Sequence, residues 1–215
     1  MLEGRKAQFI DELMKQDSTK EQAEKEVSLS IERLIYYAGW CDKFQQLYST
    51  VNPVASSHFN FSAPEPTGVV SIIAPQNNSL IGLVSVIAPI IAGGNTCVVL
   101  ASASKPLCAV TFAEVLGTSD VPGGTINILT GKPGELLSWF SDHMDVNAIV
   151  FCENDKEAIL KIQQKATLNL KRVLLWNNYN WLLETAQNPY LINDAQEIKT
   201  TWHPIENIGG AKAGY

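Results

Sequence analysis

A chain of 215 residues, 46% apolar and 18% charged, can bury a core of its own, which excludes a disordered segment, a collagen repeat and a disulfide-held miniprotein. Sixteen basic against 22 acidic residues leave a net charge of −6, with the acidic residues spread along the chain, so nucleic acid is not an expected partner. The length predicts about one to two domains.

Residues 4–50 read as two helices. The first presents Phe9, Ile10, Leu13 and Met14 on one face. Its charged start lacks the basic and apolar regions of a signal peptide. Ser18-Thr19-Lys20-Glu21 is a capping-box pattern that predicts the start of the second helix. Ala23, Val27, Ile31, Leu34, Ile35, Ala38 and Cys41 then recur at helical spacing, which extends that helix to about Leu47. Tyr36, Tyr37 and Trp40 on it are read as packing groups.

A polar stretch, Ser49 to Ser57, separates these helices from the alternating His58 to Ser62, an extended arm. The pattern then changes. Val69–Ile73 is a buried strand, Pro75-Gln76-Asn77-Asn78 a turn, Leu80–Ala92 a buried helix and Cys97–Leu100 a second strand, which together make a βαβ unit. No charge occurs between Glu65 and Lys105, yet the longest apolar run, Leu80–Ala92, has 13 residues interrupted by Ser85 and Pro89. That falls short of the ~20 residues a bilayer demands, so no membrane span is expected.

The alternation continues with a helix from Pro106 to Leu116, a strand Ile126–Leu129, a helix Gly134–Phe140, a strand Val146–Phe151, a helix Asp155–Leu168 and a strand Arg172–Leu175. Such a series predicts an α/β fold with an open, doubly wound, mostly parallel Rossmann-like sheet. Glu197–His203 again reads as extended, and Ile208–Gly214 as a flexible end.

Motifs that would grip a nucleotide are missing. There is no GxGxxG, and Gly131-Lys132-Pro133 lacks both the preceding glycine and the Ser/Thr of a Walker loop. No GxSxG elbow occurs. Cys41, Cys97, Cys108 and Cys152 form no CxxC, and with only His58, His143 and His203 beside them no metal site is expected. The cysteine usage points to reduced thiols in a cytoplasmic protein.

Pro66-Thr67-Gly68-Val69-Val70 followed by Pro75-Gln76-Asn77 and Ala88-Pro89-Ile90-Ile91-Ala92-Gly93-Gly94-Asn95-Thr96 resembles the aldehyde dehydrogenase superfamily. So do Val121-Pro122-Gly123-Gly124-Thr125-Ile126-Asn127 and the segment from His143 to Phe151, in the same order along the chain. The resemblance covers about Phe61 to Leu175. It implies the nucleotide-binding fold of that family, with residues 1–56 as N-terminal helices packed on the sheet, 57–195 as a degenerate nucleotide-binding fold, and 196–215 as an oligomerisation strand and tail. The arm from Ser57 to Pro66 is expected to pair with Glu197–His203.

Carried over position by position, the family's chemistry is largely lost. Asn77 matches the asparagine whose amide helps hold the developing oxyanion, and it stands here as a relic. Around it the cofactor positions Pro75, Gln76, Leu100, Phe151 and Glu153 are degenerate: Gln76 replaces a Trp, Leu100 a ribose-gripping Lys, and Glu153 falls where backbone amides receive the pyrophosphate. Val86 and Ala103 replace a lysine and an acidic residue. The general-base Glu falls on Trp176, and no cysteine follows Cys152 to serve as nucleophile. Glu153 is read as a cap for the helix that starts near Asp155, and Cys152 as a small buried hydrophobe. For Trp176 and Trp181 two readings stay open, a plug in the cofactor cleft or ordinary packing.

Each lost charge-assisted hydrogen bond costs roughly 1.5–3 kcal/mol, so two losses turn a micromolar NAD site into a roughly millimolar one. No cofactor is expected, NAD(P) binding weakly at most. The resemblance is nearest to the second, truncated, non-catalytic domain of family-16 aldehyde dehydrogenases. It implies a catalytic domain missing after Leu175, a piece of a longer polypeptide, and a role in forming a homodimer or supporting a catalytic aldehyde dehydrogenase domain or subunit. The alternative is one part of an NAD(P)-dependent aldehyde dehydrogenase whose catalytic domain is supplied elsewhere.

Overall fold

The charge-free stretch between Glu65 and Lys105 becomes the centre of the molecule. In the computed structural model, which describes residues 1–205, it forms β3 (Val69–Ile73), α4 (Leu80–Ala92) and β4 (Thr96–Leu100). Before it come α1 (Lys6–Met14), α2 (Lys20–Ala38), the short α3 (Phe44–Tyr48), β1 (Thr50–Asn52) and β2 (His58–Pro66). After it come α5 (Leu107–Gly117), β5 (Ile126–Leu129), α6 (Pro133–Asp142), β6 (Ala148–Phe151), α7 (Lys156–Ala166), β7 (Arg172–Leu175), α8 (Tyr190–Asp194) and β8 (Gln196–Pro204).

Five strands form one parallel sheet in the order β5-β4-β3-β6-β7. Its faces are covered by different helices, as β-branched strands buried on both sides require. Val70, Ile72, Val99 and Val150 meet α1, α2, α4 and α5 in the larger core. Ile73, Leu100, Ile149 and Phe151 meet Leu137 and Phe140 of α6 and Ile162 of α7 on the other face. The α/β, doubly wound reading is therefore correct. β1, β2 and β8 build a separate antiparallel sheet, and β2 pairs with β8 from His58↔Pro204 to Pro66↔Gln196, the arm expected from the sequence.

Three details depart from expectation. α2 stops at Ala38 rather than near Leu47, because the chain turns through Gly39 to Lys43 before α3 begins. Its capping box sits one residue later, on Thr19 and Gln22. The buried stripe is Ala23, Glu26, Val27, Ser30, Arg33 and Tyr37, whereas Ile35 and Cys41 face solvent. The rotation buries two charged residues that hydropathy alone assigns to the outside. β1 and α8 were not legible in the sequence pattern. The Ile208–Gly214 tail lies outside the described residues.

Those two charges serve α4, which has no polar side chain except Ser85. No side chain of its own caps its N-terminus, and Glu26 Oε1 accepts from the Ile81 amide at 3.1 Å. Arg33, only 1% exposed, donates to Ser85 Oγ (2.6 Å), Gln187 Oε1 (3.1 Å) and the carbonyls of Trp181 and Leu183 (3.2 Å each). All four acceptors are neutral. At the C-terminal end, Asn95 Nδ2 donates to the Ile90 carbonyl (3.4 Å) and the Ala195 carbonyl (2.9 Å), and Gln196 Nε2 donates to the Gly93 carbonyl (3.0 Å).

Gly68 has φ +125°, and a Cβ there would stand 2.4 Å from Asn147 Oδ1, which accepts the Val69 amide. Gly68→Ala is expected to destabilise the fold by about 1–3 kcal/mol, read as a lower urea midpoint. Burial raises the Glu26 pKa above its ordinary 4.5, against the pull of backbone amides. The folded chain thus holds that proton more tightly than the unfolded one. The resulting stability is present in acid and is lost as pH rises from the ordinary value through the raised one. Glu26→Gln is expected to remove this fall, measured as urea midpoints of both proteins between pH 4 and 7.

Candidate functional site

From β3 the chain steps outward to β4 and β5, then returns across the sheet to β6 and β7. The crevice beyond the carboxyl ends of β3 and β6 is therefore the topological switch point, where α/β sheets take their ligands. The sequence places Pro75, Gln76 and Asn77 after β3, Leu100 at the end of β4, and Phe151, Cys152 and Glu153 at the end of β6, all around this crevice.

Gln76 ties the three loops together. Its backbone amide donates to Glu153 Oε1 at 2.8 Å, across the β3–β6 gap. Its carbonyl accepts from Ser102 Oγ (2.8 Å) and Ser104 Oγ (3.0 Å), and its side chain accepts from the Ala103 amide (2.8 Å) while donating to the Ala74 carbonyl (2.9 Å). Every polar group of the residue is thus engaged within the protein.

Glu153 does not cap α7, contrary to the sequence reading. Asp155 does so, accepting from the amides of Glu157 (3.0 Å) and Ala158 (3.1 Å). An Asx N-cap directly before the helix outcompetes a carboxylate two residues earlier, and Glu153 is left to bridge to β3. Leu100 and Phe151 project into the α6–α7 core. Pro75 is buried under the turn. Val86 lies wholly inside the core on the opposite face.

Asn77 is exposed and lines a cleft of about 420 Å³ with Asp17, Lys25, Glu26, Asn78 and Lys105. Glu26 in this cleft is a buried carboxylic acid with a raised pKa, a residue that sequence reasoning missed. Its signal was present: Glu26 stands three residues after Ala23 and one before Val27, inside the apolar stripe. Its bond to Ile81 commits it to the end of α4.

No thiol at the crevice is poised to act as a nucleophile. Cys152 is buried, and burial together with the neighbouring Glu153 carboxylate pushes its pKa well up. Burial raises Cys97 and Cys108 to about 12. Cys41 is exposed but sits in the turn between α2 and α3, beside Val121, Pro122 and Thr125 ahead of β5, away from the carboxyl ends of the strands. Trp176 and Trp181 belong to the main core. Trp176 Nε1 donates to Asp194 Oδ2 at 3.1 Å, and Trp181 stacks on Tyr179 with ring centroids 5.0 Å apart. Among the described residues no group of three His, Cys, Asp or Glu side chains could hold a metal ion, and no helix is long and apolar enough to cross a membrane.

The family model described as "Aldehyde dehydrogenase family" matches residues 1–178. Cytosolic 10-formyltetrahydrofolate dehydrogenase of Xenopus tropicalis is 35% identical over 150 residues, 69% of this chain and 17% of that protein. The putative aldehyde dehydrogenase DhaS of Bacillus subtilis (strain 168) is 33% identical over 150 residues, 70% of this chain and 30% of that one. The crystal structure of a putative aldehyde dehydrogenase from Burkholderia cenocepacia superposes with a TM-score of 0.75 at 26% identity, covering 81% of this chain and 35% of that one. The chain thus spans about a third or less of each of these proteins.

The thiol geometry gives a direct test. In the native protein, a thiol reagent at neutral pH is expected to modify Cys41 alone, with Cys97, Cys108 and Cys152 reacting only in denaturant. Rapid release of a second equivalent from the folded chain would contradict this burial.

Proposed function

The chain belongs to the aldehyde dehydrogenase family, and from that premise we propose that it is a non-catalytic module of the family, working through association rather than aldehyde oxidation. The observation that supports this is the Gln76–Glu153 bond across the switch-point crevice. A carboxylate of the protein itself takes the amide that faces the gap, and it would repel an incoming pyrophosphate. Leu100, turned into the core, offers no cation to a ribose. The buried, protonated Cys152 offers no thiolate. Asn77 has no cysteine in its cleft, and the buried carboxyl there, Glu26, is committed to the end of α4. Free thiols throughout fit a reducing, cytoplasmic setting.

The second reading is that the chain is the cofactor-binding part of a working NAD(P)-dependent aldehyde dehydrogenase. What favours it is the preserved sheet combined with the small share of each relative that the chain covers. The two readings differ in nucleotide affinity. Isothermal titration of the chain with NAD⁺ and NADH is expected to give no heats below millimolar ligand. A micromolar site would overturn the non-catalytic reading and favour the enzyme.

A further inference from the structure

The two faces of the parallel sheet are covered unequally. α1, α2, α4 and α5 pack on one face, whereas among the described residues only α6 and α7 pack on the other. α6 runs from β5 back to β6 and leaves the β4–β5 corner of this face open, where Val98 is half-buried and its β5 partner Asn127 exposed. Beside this corner a slot of about 250 Å³ lies under the last turn of α6, toward the amino ends of β3 and β6. It is at the far end of the sheet from the switch-point crevice, so neither functional reading above bears on it.

Its floor and its mouth differ in chemistry. Val69, Val98, Phe140 and Val146 make the floor, and the only polar side chain among them, Ser71, already donates its hydroxyl to the Phe140 carbonyl at 3.2 Å. Trp139, His143 and Asp145 stand at the mouth, with Trp139 70% exposed. The imidazole is committed to the turn, since its Nδ1 accepts the Asp145 amide at 3.3 Å. The Asp145 carboxylate has no such duty. Glu135 pairs with Lys132 at 3.9 Å and Asp142 with Lys165 at 2.7 Å, but Asp145 forms no ion pair among the described residues. Lys171, behind the same loop, spends its ammonium on the carbonyls of His143 (2.7 Å) and Val146 (2.8 Å).

We propose that this slot binds a small organic cation, with an apolar body on the valines and Phe140 and an ammonium head at the mouth between Trp139 and Asp145. The floor has no free donor or acceptor side chain to meet a polar body, so it selects hydrocarbon or an aromatic ring. The mouth selects the charge. An indole is the best aromatic partner for an ammonium group, and an unpaired carboxylate beside it attracts a cation while repelling an anion. The volume falls below the roughly 300–1,000 Å³ of a site for drug-sized molecules, which limits the ligand to a small one.

The test titrates the whole chain with benzyltrimethylammonium, whose charge does not depend on pH, and with benzyl alcohol as its neutral counterpart. Affinity is read from broadening of the ligand's own proton resonances, which serves the native chain and its variants alike. The cation is expected to bind ~10-fold or more tighter than the alcohol. It should also shift the indole N–H resonance of Trp139, identified as the one missing from Trp139→Leu. Trp139→Leu and Asp145→Asn change exposed side chains, so each should keep the native circular dichroism spectrum and weaken the cation ~3-fold or more. Equal binding of cation and alcohol would reduce the slot to an apolar cavity and overturn the proposal. So would a cation whose affinity neither substitution moves, or one that binds without shifting the Trp139 resonance. Absence of any broadening up to about 10 mM ligand would overturn it outright.

Discussion

The structure depends on burying α4, a helix that brings almost no polar side chain of its own. Its flanks reward burial at about 25 cal/mol per Å² of apolar surface removed from water, but its two ends expose backbone groups that hydrocarbon cannot satisfy. Partners must therefore arrive from elsewhere in the chain. Glu26 comes from α2 to the first turn, Asn95 from the loop behind the last turn, and Gln196 from the beginning of β8. Arg33 adds a clamp between α2, Ser85 and the 181–187 segment. α2 and the start of β8 thus both meet at this one apolar helix.

The same economy governs the crevice. A switch point exposes backbone amides by construction, and in a nucleotide-binding sheet the ligand satisfies them. Here Gln76 and Glu153 satisfy the gap internally, and the serines after β4 complete the closure. The strands are held by their two cores, and Ala74, Ala101 and Cys152 just beyond them extend the larger one, whereas Gln76 and the serines are held by these polar contacts.

Most strands were legible because strands buried on both faces read as unbroken β-branched runs, and glycine and proline marked their ends. Val69–Ile73 is such a run save for Ser71, whereas the edge strand Ile126–Leu129 alternates half-buried and exposed residues and was read from its place in the series. The three-residue β1 was hidden in a polar stretch because its partners, Asn60 to Ser62, supply its pairing. The face of α2 was misassigned for another reason. Hydropathy ranks glutamate and arginine as surface residues, and nothing in the helix itself signals that α4 lacks polar groups for its own ends. The role of Glu153 was hidden likewise, since capping is a local pattern whereas the bond to Gln76 joins residues 77 positions apart.

Pairing β2 with β8 joins Glu65 to Lys199, 134 positions along the chain. Closing so large a loop costs entropy that nearby contacts do not repay. During synthesis β2 leaves the ribosome long before β8 exists, and its hydrogen-bonding edge waits while β3 to β7 assemble beside it. The β2–β8 seam is therefore the last to close. Until then the nascent chain presents β2 with β1 on one edge and the other edge open, bearing Phe59 and Phe61, a site at which a strand can pair wrongly.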